Sequence, residues 1–315
     1  KKLGMKLTAG HHNMQFECLN PKGDYPYNHP KFDGDNDRPA DPYQVSPEYA
    51  GDADKDGRLS YFEAHPEWFC LRDGKRSDRI NPEFGDNYCT SNNDATTELV
   101  RNLLNHCVAG QWKEADVINF WMLDGGKWCD CDACKRQGTF TDRLMIVIDQ
   151  VLRAIKTARE NGTLKRKVEI VTLAYHETLA PPSKPLPPNF DYANCTVTYF
   201  PIERCYVHPL ADPQCTEINE SLKKDYEGWT IGAGRHYTGS FFIGEYYNVS
   251  SFKSLPVVLT RIMAADIPWY YKTGARHFHY MHTPTRLWGT WTLNQYLMAR
   301  LLWNVETDVN ALLND

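Results

Sequence analysis

The chain has 315 residues, of which 42% are hydrophobic and 13% are aromatic. A disordered chain does not carry so much apolar material, so we expect a folded protein with a large core. The formal net charge of −5 does not favour a nucleic-acid-binding protein. No apolar run approaches the roughly 18 residues that a membrane-spanning helix needs. We therefore expect neither nucleic acid as a partner nor a membrane span.

Short apolar runs alternate along the chain with amphipathic segments, which predicts parallel strands connected by helices. In chain order, the predicted strands are 5–11, 117–123, 168–175, 196–201, 240–247 and 277–281. The predicted helices are 96–107, 142–161, 222–229, 255–272 and 293–303. The pair Asn161-Gly162 is typical of a helix C-terminus.

The segment from about residue 20 to residue 64 is rich in Asp, Pro, Gly and Tyr and lacks an apolar period. Loops of that length are usually functional, so we interpret this segment as an ordered insertion. The pattern of the rest of the sequence predicts one α/β catalytic domain, which spans residues 1–315 and contains this insertion.

Alternating strands and helices favour a (β/α)8 TIM-type barrel, although only six strands are recognisable. Because the chain opens at Lys1 with a predicted strand almost at once, we expect one or two N-terminal strands to be absent from this chain or hidden in the insertion. A six-stranded doubly wound sheet is the alternative. No G-x-G-x-x-G motif follows any strand, which argues against a dinucleotide site.

Polar and aromatic residues follow every predicted strand. In a barrel of this type the chemistry lies at the carboxyl ends of the strands, so we expect these residues to share one site. They are His11, His12, Trp121, Asp124, Tyr175, His176, Glu177, Glu203, Arg204, Glu245, Tyr246 and His282. Paired carboxylates together with aromatic rings are typical of glycoside hydrolysis.

Each carboxylate also has a structural interpretation. Asp124 precedes Gly125-Gly126 and could be a turn residue, Glu203 could pair with Arg204, and Glu177 could face solvent. The histidines lack the spacing of a catalytic zinc site such as H-E-x-x-H, so we do not expect a catalytic metal.

The sequence DADKDGRLSYFE, residues 52–63, matches the twelve-residue EF-hand calcium loop position by position. The predicted ligands are Asp52, Asp54, Asp56, the backbone oxygen of Arg58, Ser60 and Glu63. Pro66 prevents a long exit helix, so we expect an isolated structural Ca²⁺ site that holds the insertion.

Cys129, Cys131 and Cys134 lie within six residues, and the chain has 10 cysteines in all. These three could bind a structural Zn²⁺ with a fourth ligand from elsewhere. Alternatively, each could form a disulfide with a distant cysteine such as Cys89, Cys205 or Cys215. An even number of cysteines favours an exported protein, so we expect an extracytoplasmic location, either periplasmic, on the cell surface or secreted.

Several segments together resemble a bacterial family that was long catalogued as a domain of unknown function. They are HPEWFCLRDGKR at 65–76, CTSNNDATTELV at 89–100, LDGGKWCDCDAC at 123–134, PIERCYVHPL at 201–210, Cys215-x-x-x-Asn219, EYY at 245–247 and LLWN at 301–304. The resemblance covers most of the chain from about His65 onward, and also the opening strand. Its characterised members form glycoside hydrolase family 163, endo-β-N-acetylglucosaminidases that act on N-glycans.

The resemblance implies a TIM barrel and a retaining mechanism in which the acetamido group of the substrate participates. It places a general acid/base at Glu203 and an assisting or sugar-binding carboxylate at Asp124, with Glu245 in reserve. The other strand-end residues would contact a glycan or glycoprotein substrate. The calcium loop has no counterpart that we can place in the family.

Three hypotheses follow for the function of the chain. The first is a glycoside hydrolase. The second is a non-catalytic glycan-binding protein on a degenerate barrel. The third is a calcium- and thiol-stabilised structural domain of a cell-surface protein with no affinity for sugars.

Overall fold

The computed structural model describes residues 4–27, 50–248, 257–282 and 288–314. The chain divides into two compact units, which we call unit 1 and unit 2. Unit 1 comprises Lys1–Val171 with Asn189–Asp191, and unit 2 comprises Thr172–Pro188 with Tyr192–Asp315.

The described residues form strands and helices close to the predicted ones. The strands are β1 (Thr8–Ala9), β2 (Leu71–Arg72), β3 (Lys75–Arg76), β4 (Val117–Asn119), β5 (Glu169–Ala174), β6 (Cys195–Tyr199), β7 (Ser240–Asn248) and β8 (His277–His282). The helices are α1 (Met14–Cys18), α2 (Tyr61–Ala64), α3 (Asn93–Val108), α4 (Asp132–Gln137), α5 (Phe140–Glu160), α6 (Asn219–Thr230), α7 (Thr260–Lys272), α8 (Thr292–Trp303) and α9 (Val309–Asn314).

Six of the strands form one sheet in the order β1-β4-β5-β6-β7-β8, and β2 pairs with β3 in a separate antiparallel hairpin. The pairs β1/β4, β4/β5, β6/β7 and β7/β8 are parallel. Thr8 lies opposite Val117 at one end of this order, and Phe242 lies opposite His277 at the other.

The prediction of a (β/α)8 TIM-type barrel is wrong. Among the described residues the sheet has six strands, and β1 and β8 are its two edges rather than a closing pair. The alternation of strands and helices does specify parallel pairing and the direction of each crossover. It does not specify the number of strands, nor the tilt and stagger that closure requires. The doubly wound alternative also fails, because such a sheet reverses its order at a switch point whereas this order follows the chain.

The first strand is shorter than predicted because its early residues are not buried. Met5 and Leu7 are exposed, and only Thr8–Ala9 pairs with β4. The strand ends at Ala9, and the next residue, Gly10, has a φ of +82°. A Cβ at this position would lie 2.7 Å from the backbone oxygen of Asn119. Glycine is therefore required where the chain turns from β1 towards His11 and His12.

Side-chain caps set the starts of the two long helices of unit 1. Asn92 accepts a hydrogen bond from the backbone of Ala95 at the start of α3. Thr139 and Asp142 form a capping box at the start of α5. Both helices begin before their apolar pattern because the caps lie outside that pattern. The predicted end of α5 at Asn161 is confirmed.

The described parts of the predicted insertion pack on α3 through tyrosines. The hydroxyl groups of Tyr27 and Tyr61 donate to the buried carboxylate of Glu98, Tyr61 at 2.6 Å. Arg101 pairs with the same carboxylate at 3.2 Å. Residues 28–49 lie outside the described residues.

In unit 2, the ring of Phe200 lies over β7 at Gly244. A Cβ added to Gly244 would overlap that ring, and Phe200 itself is buried. The ring of Phe200 can therefore occupy this place only because residue 244 has no side chain. Within the described ranges, no helix combines the length and the apolar character that crossing a bilayer demands.

Candidate functional site

Unit 2 contains a cavity of about 320 Å³ at the carboxyl ends of β5 and β6. It is lined by His176, Glu177, Leu179, Phe200, Ile202, Glu203 and Leu222. Three of the predicted site residues, His176, Glu177 and Glu203, therefore meet at one opening. Both carboxylates are on exposed residues, and Phe200 supplies an apolar wall.

The turn after β5 holds His176 in an unusual backbone conformation. His176 has a φ of +46°, which residues with a side chain adopt rarely. The hydroxyl group of Thr178 supports this turn by donating to the backbone oxygen of Leu173 at 3.1 Å. The ring of Tyr175 lies 3.9 Å from that of His176 and 6.4 Å from that of Phe200. Strained backbone at a strand end that lines a cavity is typical of functional sites.

Arg204 and Glu245 lie inside unit 2 with no exposed side-chain surface. Arg204 Nη1 donates to Glu245 Oε1 at 2.5 Å, and Arg204 Nη2 pairs with Asp266 Oδ2 at 2.7 Å. Tyr206 and Tyr270 both donate hydroxyl hydrogen bonds to the Glu245 carboxylate. These two predicted site residues therefore hold the ends of β6 and β7 in place and present no side-chain surface to a ligand.

This buried network has two carboxylates for one guanidinium group. Burial raises the pKa of Asp266 to about 6; Arg204 opposes this rise and the charge of Glu245 adds to it. Burial also raises the pKa of Tyr270, whose hydroxyl group bonds to Glu245. Protonation of Asp266 would leave a single neutral pair of Arg204 and Glu245 in the interior.

Two further predicted site residues, Tyr246 and His282, belong to unit 2. Tyr246 is buried, and its ring packs 5.6 Å from that of Phe200. His282 is the last residue of β8, and its side chain lies outside the described residues.

Unit 1 brings together predicted residues from the ends of β1 and β4. The rings of His11, His12 and Trp121 contact one another, with centroids 4.5–5.2 Å apart. His12 Nδ1 donates to the backbone oxygen of Met122 at 2.5 Å, which leaves Nε2 with its lone pair. Burial lowers the pKa of His12, and the nearby charge of Asp124 opposes this effect.

A residue that the sequence did not indicate joins this cluster in unit 1. Glu83 Oε1 lies 3.4 Å from His11 Nδ1, and the backbone oxygen of Glu83 accepts from the backbone of Asp124 at 2.8 Å. Glu83 belongs to an irregular segment before Gly85, which has a φ of +140°. Such a segment has no periodic pattern, so no sequence signal pointed to it.

Four cysteine thiols of unit 1 converge and could hold a metal ion. The sulfur atoms of Cys89, Cys129, Cys131 and Cys134 all lie within 4.8 Å of one another. Cys89 Sγ lies 3.7 Å from both Cys131 Sγ and Cys134 Sγ. All 10 cysteines lie in described ranges and none forms a disulfide, so the disulfide alternative does not describe this structure. Cys89 is the fourth member of the group that the sequence left unassigned.

Backbone amides and neighbouring thiols surround these sulfur atoms with donors. The backbone N–H of Leu71 donates to Cys129 Sγ at 3.2 Å, and that of Cys134 donates to Cys131 Sγ at 3.4 Å. Hydrogen bonds from Cys129 and Cys89 lower the pKa of Cys134, and hydrogen bonds with Cys129 and Cys134 in turn raise the pKa of Cys89. The cluster therefore favours one thiolate among thiols, and binding of a metal would release the protons of the others.

The predicted calcium loop brings part of its ligand set together. Carboxylate oxygens of Asp52, Asp54 and Glu63 lie within 4.8 Å of one another. Gly57, at the sixth position of the loop, has a φ of +84°. Asp56 instead accepts a hydrogen bond from the backbone of Arg58 at 2.8 Å.

The side chains of Ser60, Glu63 and Arg58 all make contacts with other protein groups. The Ser60 hydroxyl group donates to Glu63 Oε2 at 2.8 Å and forms a capping box with it. The Arg58 guanidinium group pairs with Asp24 at 2.8 Å. Binding of calcium by the backbone oxygen of Arg58 stays a prediction.

A larger cavity of unit 2, of about 630 Å³, lies at the opposite ends of the strands. Its walls include Arg276 and His277 at the start of β8 and the exposed Trp303 at the end of α8. Ligands of open α/β sheets bind at the carboxyl ends of the strands. We therefore take the smaller cavity, between the ends of β5 and β6, as the candidate site.

The family described as Domain of unknown function (DUF4838) matches residues 57–315. The chain belongs to this family, whose description assigns no activity. The match confirms the resemblance to a family of unknown function and covers the candidate site and the cysteine cluster. Comparison with curated proteins gave no match.

The charge imbalance around Arg204 leads to a prediction about pH. The pKa of Asp266 is about 6 in the folded chain and about 3.9 when unfolded. The folded state therefore binds more protons between these values, and this contribution to stability is full below about pH 4 and lost as the pH rises through 6. Relative to Asp266→Asn, the free energy of unfolding of the wild type should fall by about 2–3 kcal/mol between pH 4 and pH 7.

Urea unfolding of both proteins over that pH range measures this difference. Asn retains an oxygen that can accept from the backbone of Leu210, as Asp266 Oδ1 does. A difference that is independent of pH would show that Asp266 is ionised throughout.

Proposed function

We propose that the chain is a retaining glycoside hydrolase that resembles endo-β-N-acetylglucosaminidases and acts on N-glycan-type oligosaccharides. The observation that carries the proposal is the cavity at the carboxyl ends of β5 and β6, which is lined by two carboxylates, an imidazole and an apolar ring. The proposal includes an extracytoplasmic location, where such substrates occur.

Glu203 is the proposed general acid/base. In this mechanism a carboxylic acid protonates the leaving oxygen, and its conjugate base then activates water. The acetamido oxygen of the substrate would attack the anomeric carbon, so a second carboxylate is needed to orient the acetamido group. Glu177 supports this second role because it lines the same cavity as Glu203.

The predicted residues Glu245 and Asp124, and Phe200, which the sequence did not indicate, take different places in the proposal. Glu245 supports catalysis only indirectly, since its carboxylate is engaged with Arg204 in the interior. Asp124 keeps its proposed role as an assisting or sugar-binding carboxylate, and in unit 1 its charge lies near enough to His12 to raise the pKa of that imidazole. Phe200 provides a surface against which the apolar face of a sugar ring can pack.

The decisive test is hydrolysis of an N-glycoprotein by Glu203→Gln, followed by mass analysis of the released sugars. Loss of a general acid/base costs about 10²–10⁴-fold in rate, so product should fall by that factor while the far-UV circular dichroism is unchanged. Glu177→Gln should also lower the rate, and its effect should persist with substrates whose leaving group is good, whereas the effect of Glu203→Gln should then shrink because such a leaving group departs without a proton. The control is Glu217→Gln, an exposed glutamate that does not line the cavity.

Full activity of Glu203→Gln would remove this residue from the mechanism and transfer the role to Glu177, which lines the same cavity. Binding of N-glycans by the wild type without any product would instead support the non-catalytic glycan-binding protein. The absence of both binding and product would support a structural domain.

We further propose that Cys89, Cys129, Cys131 and Cys134 bind one structural Zn²⁺. A tetrahedral site with Zn–S bonds of about 2.3 Å places its sulfur atoms about 3.8 Å apart. The separations of Cys89 Sγ from Cys131 Sγ and Cys134 Sγ, both 3.7 Å, agree with that distance. Four thiolates fill a tetrahedral shell and leave no open position, as in structural sites.

Cys131→Ser should remove one zinc ion per chain and lower the melting temperature, because one of the four ligands is lost. Elemental analysis of the purified protein and a thermal melt measure the two effects. The control is Cys107→Ala, a buried cysteine outside the cluster, which should lose stability through packing but keep its zinc. Unchanged zinc content in Cys131→Ser would contradict the proposal.

We also propose that the loop at residues 52–63 binds Ca²⁺. Supporting this are the convergence of Asp52, Asp54 and Glu63 and the left-handed backbone at Gly57, which the sharp turn of such a loop requires. The loop includes Tyr61, which packs on α3 through Glu98. Calcium binding would therefore stabilise the attachment of the loop to unit 1.

Calcium at about 100 times its dissociation constant should stabilise the wild type by about 2.7 kcal/mol and raise the melting temperature. Glu63→Gln keeps the capping box but loses the charge of the last ligand, so the calcium-dependent increase should disappear. Glu67→Gln, an exposed neighbour, should retain the increase. If calcium does not change the melting temperature of the wild type, the loop is an acidic surface loop without a metal.

A further inference from the structure

We propose that Cys205, His208 and Cys215 bind a second Zn²⁺ ion in the segment that connects β6 to α6. The ligand atoms of these three residues all lie within 4.8 Å of one another. The proposal concerns a different ion from that of the four-cysteine cluster, and it does not depend on hydrolase activity.

The first argument is the separation between donor atoms. Cys205 Sγ lies 3.5 Å from His208 Nδ1. In a tetrahedral zinc site with Zn–S of about 2.3 Å and Zn–N of about 2.0–2.1 Å, sulfur and nitrogen lie about 3.5 Å apart. The observed pair therefore has the separation of two neighbouring ligands.

The second argument is that one buried side chain holds the ligand-bearing segment in shape. Asn219 Oδ1 accepts from the backbone of Cys205 at 2.9 Å. Asn219 Nδ2 lies within 3.1–3.3 Å of the backbone oxygens of Cys205, His208 and Pro209. These bonds fix the spacing of Cys205 and His208, and Cys215 lies just before the helix to which Asn219 belongs.

The buried ion network fixes the same segment from its other side. Arg204 Nη2 donates to the backbone oxygen of His208 at 3.3 Å. The backbone of Leu210 donates to Asp266 Oδ1 at 2.7 Å. Because both ends of the turn are held before any ion binds, little ordering entropy remains to be lost on binding.

The donor set favours zinc over the other ions that proteins commonly bind. Two thiolates and one imidazole are soft or borderline ligands, which calcium and magnesium do not prefer. A disulfide between Cys205 and Cys215 would use two of the three donors and would leave the placement of His208 unexplained.

The consequence is that the ion would fix the segment that carries Glu203. Glu203 lies two residues before Cys205, and Arg204 between them is held in the interior. Three protein ligands occupy three of the four tetrahedral positions of zinc. The proposed ion would therefore help to position the segment that carries Glu203 at the candidate cavity.

The test measures zinc per chain by elemental analysis and native mass spectrometry of the full chain loaded with Zn²⁺. The wild type should bind two zinc ions per chain. His208→Ala and Cys215→Ser should each bind one, whereas His208→Cys should again bind two because it restores a ligand. His236→Ala, a half-buried histidine of unit 2 outside the cluster, should bind two.

Substitution with Co²⁺ provides a readout that does not depend on folding of the alanine variant. In the wild type, the charge-transfer bands of a site with two thiolates and one imidazole should add to those of a four-thiolate site, and His208→Cys should intensify and shift only the former. Two zinc ions in His208→Ala, or a wild-type mass lower by the two hydrogen atoms of a Cys205–Cys215 disulfide, would overturn the proposal.

Discussion

The ion network of Arg204, Glu245 and Asp266 is the constraint on which the organisation of unit 2 depends. It joins the end of β6 to β7 and to α7, and all three side chains are essentially without solvent contact. A buried ion pair of this kind contributes less to net stability than to a specified arrangement, since losing one partner leaves a charge unpaired in the interior at a cost of about 3–5 kcal/mol. The strand end that carries Glu203 is thereby held in one position, and the segment with Cys205 and His208 follows directly from it.

Periodicity was enough to locate the elements of the fold but not to count how many strands a complete sheet needs. The predicted helices over 142–161 and 293–303 lie within a few residues of α5 and α8, because amphipathic spacing and caps are local properties. Closure of a barrel depends on the stagger between strands distant in sequence, which leaves no trace in any one of them. The eight-stranded barrel was therefore expected from the parallel pattern and from the family resemblance, and the six-stranded order corrected it.

The strand-end rule located several candidate side chains, and its failures have a physical cause. It indicated His176, Glu177 and Glu203, which line one cavity. It could not distinguish them from Arg204 and Glu245. The sequence pattern of a charged residue near a strand end is the same whether the side chain faces solvent or forms a buried ion pair. The cysteine cluster shows a related limit: Cys131 and Cys134 were visible by their spacing, whereas Cys89 joins them from more than 40 residues away through the folding of unit 1.

The position of Phe200 above Gly244 has a consequence for the size of the ligand that the cavity could admit. The ring of Phe200 forms one wall of that opening. How closely this ring approaches β7 depends on Gly244, whose side chain is a single hydrogen atom. Even one methyl group at residue 244 would push the ring outwards and narrow the opening. Among homologous chains, the size of the accepted ligand would then vary with a residue that does not line the cavity.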